Sequence, residues 1–219
     1  MDFIDAPSPN FNARKTPVSL IVLHYTGMET GPAALERMCD AQAQVSAHYM
    51  VEEDGRVFRL VDEAQRAWHA GLSYWRGERD INSASIGIEI VNGGHDFGLP
   101  DFPEAQMDAV IELVRAIMDR WNIAPDCVIG HSDIAPARKQ DPGEKFPWPR
   151  LEAAGCAVSA SRDDGTVDVD ACLTRIGFDP EVSLEMRVTA FQRRYRPACV
   201  DGVLDAETRA LIAGVAASA

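Results

Sequence analysis

What this chain of 219 residues lacks already narrows its chemistry. No apolar run approaches the roughly 20 residues that span a bilayer, so no membrane-crossing helix is expected. Positive charge is scarce: 21 Lys and Arg stand against 34 Asp and Glu, a formal net charge of −13. A surface of that sign repels phosphate backbones and anionic headgroups, which argues against sequence-independent nucleic-acid binding and electrostatic docking on membranes. Residues Met1 to Pro9 have neither the basic start nor the apolar stretch of a secretory signal. The five cysteines, Cys39, Cys127, Cys156, Cys172 and Cys199, include no closely spaced pair and leave one odd. Free thiols in a reducing compartment are therefore expected. Both absences point to the cytoplasm, with the periplasm or cell envelope as the alternative. Internal repeats and low-complexity segments are absent too.

What is present is a hydrophobic fraction of 46%, enough for one large domain or a medium one with an appendage. An apolar strand, Leu20 to Leu23, ends in His24, and Thr26-Gly27 then turns the chain. Pro32 to Asp40 has the pattern of a short helix with Pro near its start. The β-type runs His48–Val51 and Val57–Val61 flank Glu53-Asp54-Gly55, a hairpin signal. Ala67 to Ser85 is expected to be a loop, and Ile86–Val91 a central strand closed by Asn92-Gly93-Gly94. From Pro103 to Trp121, Met107, Val110, Ile111, Val114, Ile117, Met118 and Trp121 recur at helical spacing. A buried strand, Cys127 to Ile129, then feeds a loop from Gly130 to Gly143 that is punctuated by Pro and Gly.

Composition changes near Ser159, where small polar residues run to Gly165. Residues 1–155 are expected to form the chemical domain, 156–166 a linker and 167–219 a small domain of three helices. Within the last part, Val169, Cys172, Leu173 and Ile176 share a face before Gly177, and Leu184, Val188, Phe191 and Tyr195 line a second helix. Asp205 is placed to cap a third helix that runs to Val215.

Residues able to do chemistry gather at the strand ends. His24, His131 and Asp141 would supply two nitrogens and one oxygen, a set that suits a catalytic zinc with an open fourth position. Each histidine could equally be an ordinary hydrogen-bonded residue, and both readings stand at this level. Glu89 interrupts an apolar strand, where an unpaired carboxylate is costly to bury. Alternation puts Gly87, Glu89 and Val91 on one face and Ile86, Ile88 and Ile90 on the other. Gly87 leaves room for a ligand or a close backbone approach. Glu89 is either a solvated edge residue or a base with raised pKa that takes a proton from water. Lys139, two residues before Asp141, is either a surface lysine or a cation aimed at an oxyanion. Cys127 near His131 raises a thiol hydrolase, but it falls in a strand expected to be buried and no orienting Asn or Asp is identifiable.

Five separated pieces, taken in order, carry a resemblance. They are Ile21 to Thr26, Val45-Ser46-Ala47-His48-Tyr49, Ala67-Trp68-His69-Ala70-Gly71, Ser85 to Ile90 and Gly130 to Pro136. Together they resemble the zinc-dependent N-acetylmuramoyl-L-alanine amidases of the AmpD/AmiD type (amidase-2 domain), relatives of peptidoglycan recognition proteins. The resemblance covers roughly residues 15–150. It implies an α/β fold, a mixed β-sheet flanked by helices, with Zn2+ held by His24, His131 and Asp141. It also implies Glu89 as the catalytic acidic residue, Lys139 as the transition-state lysine, and substrate contacts at Tyr25, His69 and Arg79. Arg76 competes with Arg79 for its role, because the spacing from Glu89 is shifted by one. The reaction implied is hydrolysis of the amide between N-acetylmuramic acid and L-Ala of the stem peptide. A non-catalytic peptidoglycan-recognition module is the alternative. Ala190 to Tyr195 and Val200 to Thr208 resemble a three-helix peptidoglycan-binding domain. Partners would then be peptidoglycan or its 1,6-anhydromuropeptide fragments, met by a monomer.

Overall fold

The computed structural model describes residues 1–219. In chain order the strands are β1 (Phe3–Asp5), β2 (Phe11–Ala13), β3 (Leu20–Tyr25), β4 (Tyr49–Val51), β5 (Val57–Arg59), β6 (Gln65–Ala67), β7 (Ser85–Ile90) and β8 (Val128–Gly130). The helices are α1 (Gly31–Cys39), α2 (Ile81–Ala84), α3 (Glu104–Trp121), α4 (His131–Ile134), α5 (Trp148–Ala153), α6 (Val169–Ile176), α7 (Leu184–Tyr195) and α8 (Ala206–Ala217). Six strands form one mixed sheet in the order β1-β5-β4-β7-β3-β8. Only the β4–β5 hairpin is antiparallel within it, turning at the expected Asp54-Gly55 with Met50 opposite Phe58. A separate antiparallel pair joins β2 to β6.

Strand alternation sorts the side chains to two faces. Ile21, Leu23, Ile86, Ile88 and Ile90 enter a core closed by Met107, Val110, Val114 and Ile117 of α3. That helix follows the expected apolar period and ends at Asn122, whose left-handed backbone (φ 53°) lets its N–H reach Met118. Buried Gln106 donates to the carbonyls of Val51 and Val91, stitching α3 to the ends of the central strands. Leu20, Val22 and Ile129 point the other way. They share a second core with Leu173 of α6, Phe191 of α7 and Ile212 of α8. The C-terminal helices therefore finish the second face of the sheet. Burying each of these large apolar side chains is worth roughly 1.5–3 kcal/mol, so the interface contributes as a core does.

Several expectations need correction. His131 opens the one-turn helix α4 where a loop was expected. Asp133 makes the turn possible, because its carboxylate accepts the N–H of Gly130 at 2.8 Å. Cys127 is only half-buried, in the 3₁₀ turn Pro125–Cys127 that precedes β8. The stretch from Ala67 to Ser85 contains α2, and a short strand, β2, precedes β3. Both β2 and β6 are three residues long and owe their pairing to partners about fifty positions away, so neither carries a local signal. No helix is long and apolar enough to cross a membrane.

Candidate active site

Parallel pairing of β7, β3 and β8 brings three C-terminal strand ends together, the usual place for a site in an open α/β sheet. His24 lies on β3, Glu89 is its register partner on β7, and His131 follows directly on β8. Asp141 arrives on the loop after α4, where its carbonyl accepts the N–H of Ser132 at 2.8 Å. Gly130 has no Cβ because one would stand 2.8 Å from Cδ of Pro142, the residue after Asp141. His24, His131 and Asp141 are all buried.

Nδ1 of His24, Nδ1 of His131 and Oδ2 of Asp141 form a triangle with sides of 2.9 Å. The far nitrogens decide what those atoms carry. Nε2 of His131 donates to the carbonyl of Ala70 at 3.1 Å, which leaves Nδ1 with its lone pair. Behind His24 a chain of bonds acts likewise. The Ser85 hydroxyl donates to the Ile81 carbonyl at 2.5 Å and so accepts from Nε2 of His69 at 3.3 Å. Nδ1 of His69 is then an acceptor for Nε2–H of His24 at 3.0 Å, and Nδ1 of His24 also presents a lone pair. Three acceptors converging on one point repel one another unless a cation lies among them. These residues fit a metal ion, and they form the one cluster of donor atoms able to hold it.

The electrostatics agree. Burial, followed by the neighbouring His131, lowers His24 to about 4, so it is neutral and able to ligate at pH 7. Burial opposes the charge of Asp141, but the imidazoles facing it outweigh that and hold its carboxyl below the usual carboxylate range. Glu89 behaves oppositely. Its Oε2 is shielded from solvent with no hydrogen-bond partner. Burial and the charge of Asp141 push its pKa well above the ordinary glutamate value, and Lys139 only partly offsets them.

A groove of about 410 Å³ opens over this cluster, lined among others by Tyr25, Glu89, His95 and Lys139. The hydroxyl of Tyr25 donates to Nδ1 of His95 at 2.9 Å, and Nε2 of His95 donates to Glu144 at 3.0 Å. His69 reaches the groove wall but spends both ring nitrogens on His24 and Ser85. The space beside Gly87 is filled by that imidazole, since a Cβ there would lie 2.5 Å from its ring. Arg79 is not brought to the groove: it pairs with Asp179 and Glu181 near the C-terminal helices. Arg76 bonds the carbonyl of Ile176 and the carboxylate of Asp126. Sequence reasoning missed His95, Trp68 and Arg37 as groove residues. Of these only Trp68 had a cue, its place beside His69 in a quoted motif.

A mixed sheet whose parallel strand ends and adjoining loop bring two imidazoles and a carboxylate to one point, beside a shielded carboxyl, gives a metal-type hydrolytic site on an open sheet of mixed α/β architecture. The chain belongs to the N-acetylmuramoyl-L-alanine amidase family, whose model (Amidase_2) matches residues 14–144. It is 35% identical to the N-acetylmuramoyl-L-alanine amidase AmiD of Escherichia coli K12 over 89% of this chain and 80% of that one. It is 34% identical to the 1,6-anhydro-N-acetylmuramyl-L-alanine amidase AmpD of Haemophilus influenzae, over 65% of this chain and 86% of that one. Among solved structures, E. coli AmiD in complex with anhydro-N-acetylmuramic acid-L-Ala-D-gamma-Glu-L-Lys superposes with a TM-score of 0.82 at 34% identity, covering 94% of this chain and 92% of that one. AmpDH3 of Pseudomonas aeruginosa gives a TM-score of 0.84 at 32% identity, with 92% of each chain covered. The α/β fold with a mixed sheet flanked by helices is thus the amidase fold that the resemblance implied.

Proposed function

We propose that this amidase hydrolyses the amide between the lactyl group of N-acetylmuramic acid and L-Ala of the stem peptide, on soluble 1,6-anhydromuropeptides of wall recycling. The observation that carries the reading is the triangle of buried acceptors with the unpartnered carboxyl of Glu89 beside it. His24, His131 and Asp141 would hold Zn2+, which when bound lowers the pKa of water and polarises a carbonyl. Glu89 takes a proton from the water that attacks the lactyl carbonyl. It later passes that proton to the nitrogen of L-Ala as the C–N bond breaks, leaving a carboxylate on the sugar and a free amine on the peptide. The raised pKa of Glu89 suits both halves of this transfer. Lys139 steadies the oxyanion, and Tyr25 borders the substrate. His69 serves by orienting His24.

Residues 1–155 carry the chemistry and 167–219 the helices that resemble a wall-binding unit. Five unpaired cysteines favour the cytoplasm, with the cell envelope as the alternative. The deciding experiment is mass spectrometry of two digests, intact sacculi and soluble anhydromuropeptide, each with and without chelator. Chelator-sensitive release of stem peptide from the soluble substrate supports the proposal. Release from sacculi alone moves the enzyme to the wall, and binding without turnover in either tube would make it a recognition module.

A further inference from the structure

The signature from Ala190 to Tyr195 would present Arg193 and Arg194 to wall polymer if these helices worked as a detached anchor. Both arginines instead lie buried against the sheet-bearing part of the chain. Nη1 of Arg194 is 3.1 Å from Oδ2 of Asp133, and the two side chains are only 4% and 2% exposed. The guanidinium carbon also lies over the Trp148 ring, 4.0 Å from its centroid. Asp133 stands in the same helical turn as His131, and the oxygen that meets Arg194 is the one that caps Gly130. The neighbouring Arg193 approaches Glu144 at 3.7 Å, and Glu144 holds His95, which holds Tyr25. Two adjacent side chains of α7 thus connect, through Asp133 and Glu144, to the turn that carries His131 and to the groove residue His95.

We propose that Arg194 is a positioning residue for the amidase reaction, fixing through Asp133 the turn that presents Nδ1 of His131, and that α7 is therefore a built-in support of the active site. This rests on the assignment of His131 as a metal ligand. Arg194 suits the task because a planar, permanently charged fork can bond a buried carboxylate and stack on an indole at once, which a lysine cannot. The same contacts withdraw both arginines from any wall polymer, so a binding surface on these helices has to lie elsewhere.

The test uses the full chain with zinc. Zinc affinity is read by chelator competition, and kcat and KM on an anhydromuropeptide, for wild type, Arg194→Lys and the double variant Arg194→Met with Asp133→Asn. The double variant removes both charges together, which avoids leaving one buried without a partner. With wild-type circular dichroism, it is expected to bind zinc about ten- to hundredfold more weakly and to lose kcat in step, with KM changed by less than about twofold. Arg194→Lys should fall between. Wild-type zinc affinity and kcat in a folded double variant would overturn the proposal. If the double variant loses the wild-type spectrum, Arg194→Lys decides: zinc binding weakened by at least about threefold supports the strut, and unchanged binding overturns it. His131→Ala separates the two levels, since full zinc content there would remove His131 from the ligand set whatever Arg194 does.

Discussion

Replacing Gly87 by alanine tests the chain of contacts behind the candidate metal site. A Cβ on Gly87 would stand 2.5 Å from Cγ of His69 and 2.6 Å from Cδ2 and Nδ1. Ordinary contact begins near 3.4 Å, so the ring has to retreat by about 0.9 Å. The strand cannot yield instead, because β7 is interior to the sheet and the N–H of Gly87 is bonded to Nδ1 of His48 at 2.9 Å. His69 is pinned on its other side by His24 at 3.0 Å, and a retreat of that size stretches or breaks the bond that orients His24. Overpacking costs about 1–3 kcal/mol. The lost hydrogen bond adds about 0.5–1.5 kcal/mol. For a chain of this length the sum lowers the melting temperature by roughly 5–15 °C. Zinc affinity should fall by about ten- to hundredfold, as it does when a partner behind a ligand is lost. Thermal melting and chelator competition measure the two effects. A Gly87→Ala protein that melts with the wild type and holds zinc equally well would refute the chain from Gly87 through His69 to His24.

Three further outcomes are expected. Glu89→Gln should lower kcat by about 10²–10⁴-fold while zinc stays bound, checked by turnover and metal content; full activity would dismiss Glu89 as the proton carrier. The metal-free protein should lose stability on acidification. His24 and His48 have folded-state values lowered to about 4 and about 3, so their contribution is complete above the ordinary histidine value of about 6.5, begins to fall as pH drops below it, and is lost by the time pH has fallen through the folded values. Urea midpoints of chelator-treated protein at pH 7.5, 6 and 5 would show the decline, and a flat profile would contradict the burial argument. Deleting residues 160–219 should give an insoluble fragment, because Leu20, Val22 and Ile129 lose the helices that cover them. Sedimentation of the fragment checks this, and a folded soluble monomer would mean that the sheet face can close on its own.

Much of the site was legible in the sequence because its signals are local. Apolar strands that end in His24 and His131, a carboxylate interrupting Ile86 to Val91, and Asp141 on a Pro-punctuated loop all follow from pattern and polarity over a few residues. The hairpin at Asp54-Gly55 and helix α3 were legible for the same reason, and the family resemblance rested on those same short pieces. The remainder depended on contacts between distant segments. His69 stands behind His24 because β7 carries a glycine at the one position where the ring fits, and nothing in Trp68-His69-Ala70 encodes that neighbour. Arg79 pairs with Asp179 and Glu181, and Arg194 with Asp133, at separations of 61 to 102 residues along the chain. The sequence by itself determined which groups could do the chemistry, through local periodicity and the cost of burying charge. Only the tertiary structure decided which nitrogen of each imidazole faces the site and which side of α7 is hidden. Both depend on long-range packing, where side chains are chosen by what the folded chain sets beside them.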